Sequence, residues 1–191
     1  MKCTQTSQPE AGVIMGAERA RAVEAWLLLA APDTAKARQE WETQGTAILR
    51  CGPFFDAIRI PGAIVRAAAG EDDAFAVDPF LLQALDRGPV FATAGLERYY
   101  ALVPGGVAYD WRVPVAESLP RGIGLGVPAV RLTQYERDVS YWASPMDEPG
   151  KLCDADKVAE LVATGWRRLT QSSPSDRSAA FMNATHGQAG G

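Results

Sequence analysis

An α+β fold, with a mainly antiparallel sheet and helices packed on its outer face, is predicted for this 191-residue chain by three observations. Apolar residues recur at three-to-four spacing near both ends, the pattern of helices that bury one face. Short runs rich in apolar and β-branched residues come in pairs separated by glycine or proline, as antiparallel strands do. The order along the chain is helix, helix, strand pair, helix, helix, strand pair, further strands, helix. A hydrophobic share of 47% and a charged share of 22% are those of a globular chain, and the length allows one domain with a substantial core.

Residues 1–16, rich in Thr, Gln, Ser and Gly, read as a flexible leader, and a single domain is expected over 17–170. From Ala17 to Ala31 the positions Ala22, Val23, Trp26, Leu27, Leu29 and Ala30 mark one helical face, and Pro32 ends it. Asp33 suits the N-cap of a second helix running to Gln44, with Gly45 closing it in the left-handed region. Thr46–Cys51 and Phe55–Ile60 read as two strands joined by a tight turn at Gly52-Pro53. Pro61-Gly62 opens a helix to Ala69, and Asp78-Pro79 resembles an N-cap with proline at the first helical position, starting a helix through Leu85. Val90–Thr93 and Tyr99–Val103 are the next strand pair. The stretch 107–120 is expected to be an irregular loop, followed by strands at Ile123–Val127, Ala129–Thr133 and Val139–Trp142. Asp154 caps a last helix through Trp166, and 171–191, without periodicity, reads as a disordered tail.

The formal net charge of −4 argues against a surface that grips nucleic acid everywhere, because sequence-independent binding comes from Lys and Arg neutralising phosphates. It leaves room for a local basic groove. Nearly all positive charge is arginine, which favours fork-like contacts to phosphate or carboxylate. Cys3, Cys51 and Cys153 show no metal-type spacing and cannot all pair, which fits a reducing, cytoplasmic setting. The apolar run Ala25–Ala31 is far short of the ~20 residues of a membrane span, so no membrane association is expected.

Two short motifs carry a resemblance. Phe55-Asp56-Ala57-Ile58-Arg59-Ile60-Pro61 is an apolar run in the place where the bifunctional DNA primase/polymerase N-terminal domain, of the archaeo-eukaryotic primase superfamily, has Asp-x-Asp after a strand. Gly95-Leu96-Glu97-Arg98-Tyr99-Tyr100-Ala101-Leu102-Val103-Pro104 is similar to that family's Gly-Gly-Arg-His, strand and Pro. Val127-Pro128 resembles its Pro-Pro strand entrance, and Tyr141-Trp142 with Leu152, Asp154 and Asp156 its closing segment. The resemblance covers about residues 40–166 and implies a primase-polymerase-like fold and a setting in replication or mobile-element maintenance. In this chain Arg59 and Pro61 stand at the two acidic positions and Arg98 at the histidine position. The family's cysteine-rich insert has no counterpart.

Those replacements matter chemically. Nucleotidyl transfer uses two divalent cations held by hard oxygen ligands. Arginine is permanently charged and has no acceptor, and proline offers no side-chain ligand. Asp56, three residues before Arg59, points to the opposite face of a strand. The resemblance thus implies a degenerate copy with no catalytic residues, no metal ligands and no cofactor, leaning away from an enzyme. Arg59 and Arg98, with Arg50 or Arg131, would instead form a site for nucleic-acid or nucleotide phosphates. The bland alternative is that these arginines are solvated or paired with Glu97, Asp56 or another acid. Partners would be single-stranded nucleic acid, a nucleotide or a replication protein; the alternatives are an active primase/polymerase with displaced metal ligands and a protein-protein interaction module.

Other motifs read as structure. Gly122-Ile123-Gly124-Leu125-Gly126 lacks the following helix that a phosphate loop needs and suggests a twisted or bulged strand. Glu71-Asp72-Asp73 and Asp147-Glu148 read as solvated loop acids, Asp154-x-Asp156 as a helix cap, and Cys51 as a small core residue. Tyr99, Tyr100, Tyr109, Trp111, Tyr141 and Trp142 are stacking candidates of which core packing should claim many. His186 and the Asn183-Ala184-Thr185 glycosylation pattern fall in the tail.

Overall fold

The computed structural model describes the backbone of residues 11–171 and the side chains from residue 16, so residues 1–10 and most of the expected tail, with His186 and Asn183, lie outside the described residues. Helix α1 (Ala11–Leu27) begins inside what reads as leader and passes into a short 3-10 helix, Leu28–Ala30. Helix α2 (Thr34–Thr43) starts where expected: the Lys36 amide donates to the Asp33 carboxylate at 3.0 Å. Strands β1 (Thr46–Arg50) and β2 (Asp56–Pro61) are followed by α3 (Gly62–Ala69), α4 (Ala74–Ala84), β3 (Val90–Ala92), β4 (Arg98–Val103) and a one-turn helix α5 (Val107–Asp110). Strands β5 (Glu117–Leu119), β6 (Gly124–Pro128) and β7 (Tyr141–Ser144) precede the last helix, α6 (Ala155–Gln171).

The fold is α+β and every strand pairing is antiparallel. Five strands form one sheet in the order β5-β2-β4-β3-β7, and β1 pairs with β6 in a separate two-stranded ribbon. Because β2 and β3 both run antiparallel to β4, they are parallel to each other and split by it, with α3 and α4 in the connection.

Side-chain alternation divides the interior in two. Ile58, Ile60, Val90, Ala92, Tyr99, Ala101 and Val103 pack under α3, α4 and α6. Ala57, Phe91, Leu102 and Trp142 pack on the other face against the ribbon and the N-terminal helices, with Trp41, Leu49 and Val127. Helices were expected on the outer face of the sheet, and both faces of the five-stranded sheet are covered. The reason is in the strands themselves, where neighbouring positions such as Val90, Phe91 and Ala92 are all apolar and need burial on both sides.

Five further expectations are corrected. The Gly52-Pro53 turn forms, the Gly52 amide donating to the Phe55 carbonyl at 2.7 Å, but the strands it joins part to different sheets because Ala47 and Leu49 share a buried face with Leu125 and Val127. Helix α4 is capped by Asp73, whose carboxylate accepts from the Phe75 amide at 3.3 Å, so Pro79 lies inside the helix and Asp78 on its buried side. The 107–120 stretch is not wholly irregular, since it supplies α5 and the edge strand β5. Residues 129–133 are turns, with the Leu132 amide donating to the Ala129 carbonyl at 3.0 Å. Strand β6 pairs in unbroken register, and the sheet irregularity falls between Val90 and Phe91 instead.

Candidate functional site

Arg59, Pro61 and Arg98 line one open cleft of about 330 Å³. The register explains how. In the β2–β4 pairing Arg59 lies opposite Tyr100 and Pro61 opposite Arg98, so the two arginines are diagonal neighbours on one face, a separation of roughly 7–8 Å that long side chains bridge. In the β2–β5 pairing Arg59 lies opposite Glu117, and its guanidinium forms an ion pair with that carboxylate. Glu97, Pro114 and Val115 complete the lining. The Arg98 side chain makes no hydrogen bond or ion pair among the described residues.

The turn that presents Glu97 and Arg98 is tightly built. Gly95 and Leu96 both have positive φ, at 77° and 59°, a conformation that costs a leucine backbone strain. The turn is held from three sides. The Thr93 hydroxyl bonds both the amide and the carbonyl of Arg98 at 3.3 Å, the Arg66 guanidinium donates to the Leu96 carbonyl at 3.1 Å, and the Gly62 amide donates to the Glu97 carbonyl at 2.7 Å. A Cβ on Gly62 would sit 2.0 Å from the Leu96 oxygen, so only glycine lets α3 begin this close to the turn.

The four arginines named from sequence do not converge. Arg59 and Arg98 share the cleft. Arg50, at the end of β1, is exposed on the ribbon, opposite Gly124. Arg131 belongs to a different concavity beside α1 and α2, where its guanidinium donates to the Trp41 carbonyl at 2.8 Å. The pairing partner of Arg59 is Glu117 and not Glu97 or Asp56. Sequence reasoning missed Glu117, Pro114 and Val115 because they fall in a stretch read as loop, and β5, an edge strand of three residues with no buried position, carries no period-2 pattern that could have marked it.

Asp56 points away from Arg59, as its three-residue offset requires. It is buried, one oxygen accepting from the Gly106 and Ala108 amides at 2.8 and 3.1 Å at the start of α5, the other without a partner. Three of the other acids have structural partners: Asp72 pairs with Arg66 at 3.6 Å, Asp147 with Arg87 at 3.3 Å, and Asp154 accepts from the Asp156 amide at 2.8 Å. Cys51 is buried, and burial followed by the nearby Asp56 charge pushes its thiol up to about 11, the opposite of nucleophile activation. Tyr99, Tyr141 and Trp142 are core residues, whereas Tyr109 is 64% exposed and Tyr100 stacks on Phe91 with ring centroids 4.9 Å apart. Among the described residues no three His, Cys, Asp or Glu side chains cluster as a metal site, and no helix is long and apolar enough to cross a membrane.

The fold and site define an α+β protein with an arginine-bearing cleft on one face of an antiparallel sheet, beside a strained turn. Comparison with protein-family models, curated proteins and solved structures finds no match to this chain.

Proposed function

We propose that the chain is a catalytically inactive primase-polymerase-like protein that binds nucleotide or nucleic-acid phosphates in the Arg59–Arg98 cleft. The observation that carries this reading is convergence: Arg59, Pro61 and Arg98 were singled out because they stand at three motif positions of that family, and all three line the same opening. Arg98 offers an unengaged fork for phosphate, and Arg59 is available to a second phosphate oxygen when the ligand displaces Glu117. The Arg59–Glu117 pair is partly exposed, 37% and 55%, so separating it costs little.

Equilibrium titration of the full chain with a nucleoside triphosphate and with a single-stranded oligonucleotide tests this. Arg98→Ala weakens binding at least tenfold, while Glu117→Gln, which frees Arg59, tightens it several-fold. Unchanged affinity in both variants overturns the reading.

One observation favours a protein-interaction module instead. Glu97 and Glu117 balance the two arginines, so the cleft is formally neutral. Absence of phosphate binding even in Glu117→Gln leaves that reading standing.

A further inference from the structure

A second concavity opens on the N-terminal side of the molecule. It measures about 230 Å³ and is lined by Arg21 and Glu24 of α1, Arg38, Trp41 and Glu42 of α2, and Arg131 from the segment after β6. Three guanidinium groups thus reach one place from three separate stretches of chain. Two hydrogen bonds tie the floor together: Trp41 is buried and its indole donates to the Val127 carbonyl at 2.9 Å, while Arg131 is oriented by its 2.8 Å bond to the Trp41 carbonyl. Arg38 stands 3.8 Å from Glu24, a loose and half-exposed pair that an incoming anion can exchange. Arg21 has no hydrogen bond or ion pair among the described residues. Three arginines against two glutamates leave one net positive charge here, in a chain whose formal charge is −4.

We propose that this cleft is a second, independent anion site that takes a phosphate or pyrophosphate group, with Arg131 as the fixed donor and Arg21 and Arg38 closing on the ligand. Guanidinium forks match phosphate oxygens bidentately. The size suits a diphosphate group rather than a folded polymer. The group could belong to a free nucleotide or to the end of a nucleic-acid strand, and the shared chemistry is the phosphate.

The test is calorimetric titration of the full chain with inorganic pyrophosphate, repeated with the Arg21→Ala/Arg38→Ala double variant and with Arg98→Ala. Both sets of side chains are exposed, so the variants keep the fold, as an unchanged Tm verifies. The double variant is expected to lose one site, at least tenfold in affinity, that Arg98→Ala retains. Binding abolished by Arg98→Ala alone overturns this proposal and leaves the first cleft standing. Binding abolished by the double variant alone supports it and rejects the first cleft as a pyrophosphate site. No binding, or binding insensitive to the double variant, overturns it. Parallel titrations with a nucleoside triphosphate and a 5′-phosphorylated oligonucleotide separate the two sources: whichever loses affinity in the double variant is the one this site takes, and loss for neither overturns the proposal.

Discussion

Asp56 and Arg59 sit on one strand and face opposite ways, and that offset assigns them unrelated work. The Asp56 carboxylate satisfies two amides at the start of α5, whereas Arg59 lies in the cleft. Asp56→Ala leaves those amides without a partner, so it is expected to lower stability by about 1–3 kcal/mol in denaturant unfolding while pyrophosphate affinity stays within twofold. Asp78 makes a second residue-level prediction. Burial, partly offset by the Tyr141 hydroxyl donating at 3.0 Å, pushes its carboxyl from 3.8 up to about 6. The folded state therefore holds a proton that the unfolded state has released between about pH 4 and pH 6, and stability falls as pH rises through that window. Asp78→Asn keeps an acceptor for Tyr141 and removes the ionisation. It is expected to flatten the pH dependence over that range and to raise stability at pH 7 by on the order of 2 kcal/mol, as read by chemical denaturation at several pH values.

Elements meet here through two glycines that permit backbone contact. A Cβ on Gly165 in α6 would lie 2.1 Å from the Ile64 carbonyl of α3, so these helices pack closer than any other residue allows. Gly165→Ala is expected to cost about 1–3 kcal/mol by forcing them apart, measured as a lowered Tm without change at the cleft. Gly62→Ala acts on the same scale but at the site: displacing the Leu96 carbonyl moves the turn that presents Arg98, so a loss of phosphate affinity should accompany the loss of stability. The capping of α4 shows what local sequence leaves undecided. Read alone, Asp78-Pro79 has the form of a helix start and Asp73 that of a loop acid. Asp73 wins because starting there places Val77 and Leu81 together under the sheet, and because Asp78 finds a tertiary partner in Tyr141.

At the scale of the whole molecule the five-stranded sheet belongs to two cores at once. Leu81 fills one and Leu102 the other, both fully buried. Because the same strands carry both, neither core can melt while the other stays intact. Leu81→Ala and Leu102→Ala are each expected to cost about 2–5 kcal/mol, and near- and far-UV circular dichroism should report one coincident transition in each variant.

Much of this was legible locally. The Asp33 and Asp154 caps, the β3–β4 pair and the opposed faces of Asp56 and Arg59 follow from a period of 2 and from side-chain hydrogen-bonding capacity, both short-range properties, whereas the face of α1 was read only in part: Leu29 is 57% exposed and Leu28 is buried in its place, because the helix tightens to a 3-10 turn there. The same periodicity put Arg59 on a strand and Arg98 one residue before the next, where β4 in fact begins. The chain alone did not say which strands pair: β1 leaves β2 for β6, residues more than seventy positions away, because buried faces are matched only when the chain closes on itself. Nor could it pair Arg59 with Glu117, separate Arg131 from Arg98, or gather Arg21, Arg38 and Arg131 around Trp41. Those placements depend on strand register and helix docking, which are long-range outcomes of burying two apolar faces of one sheet.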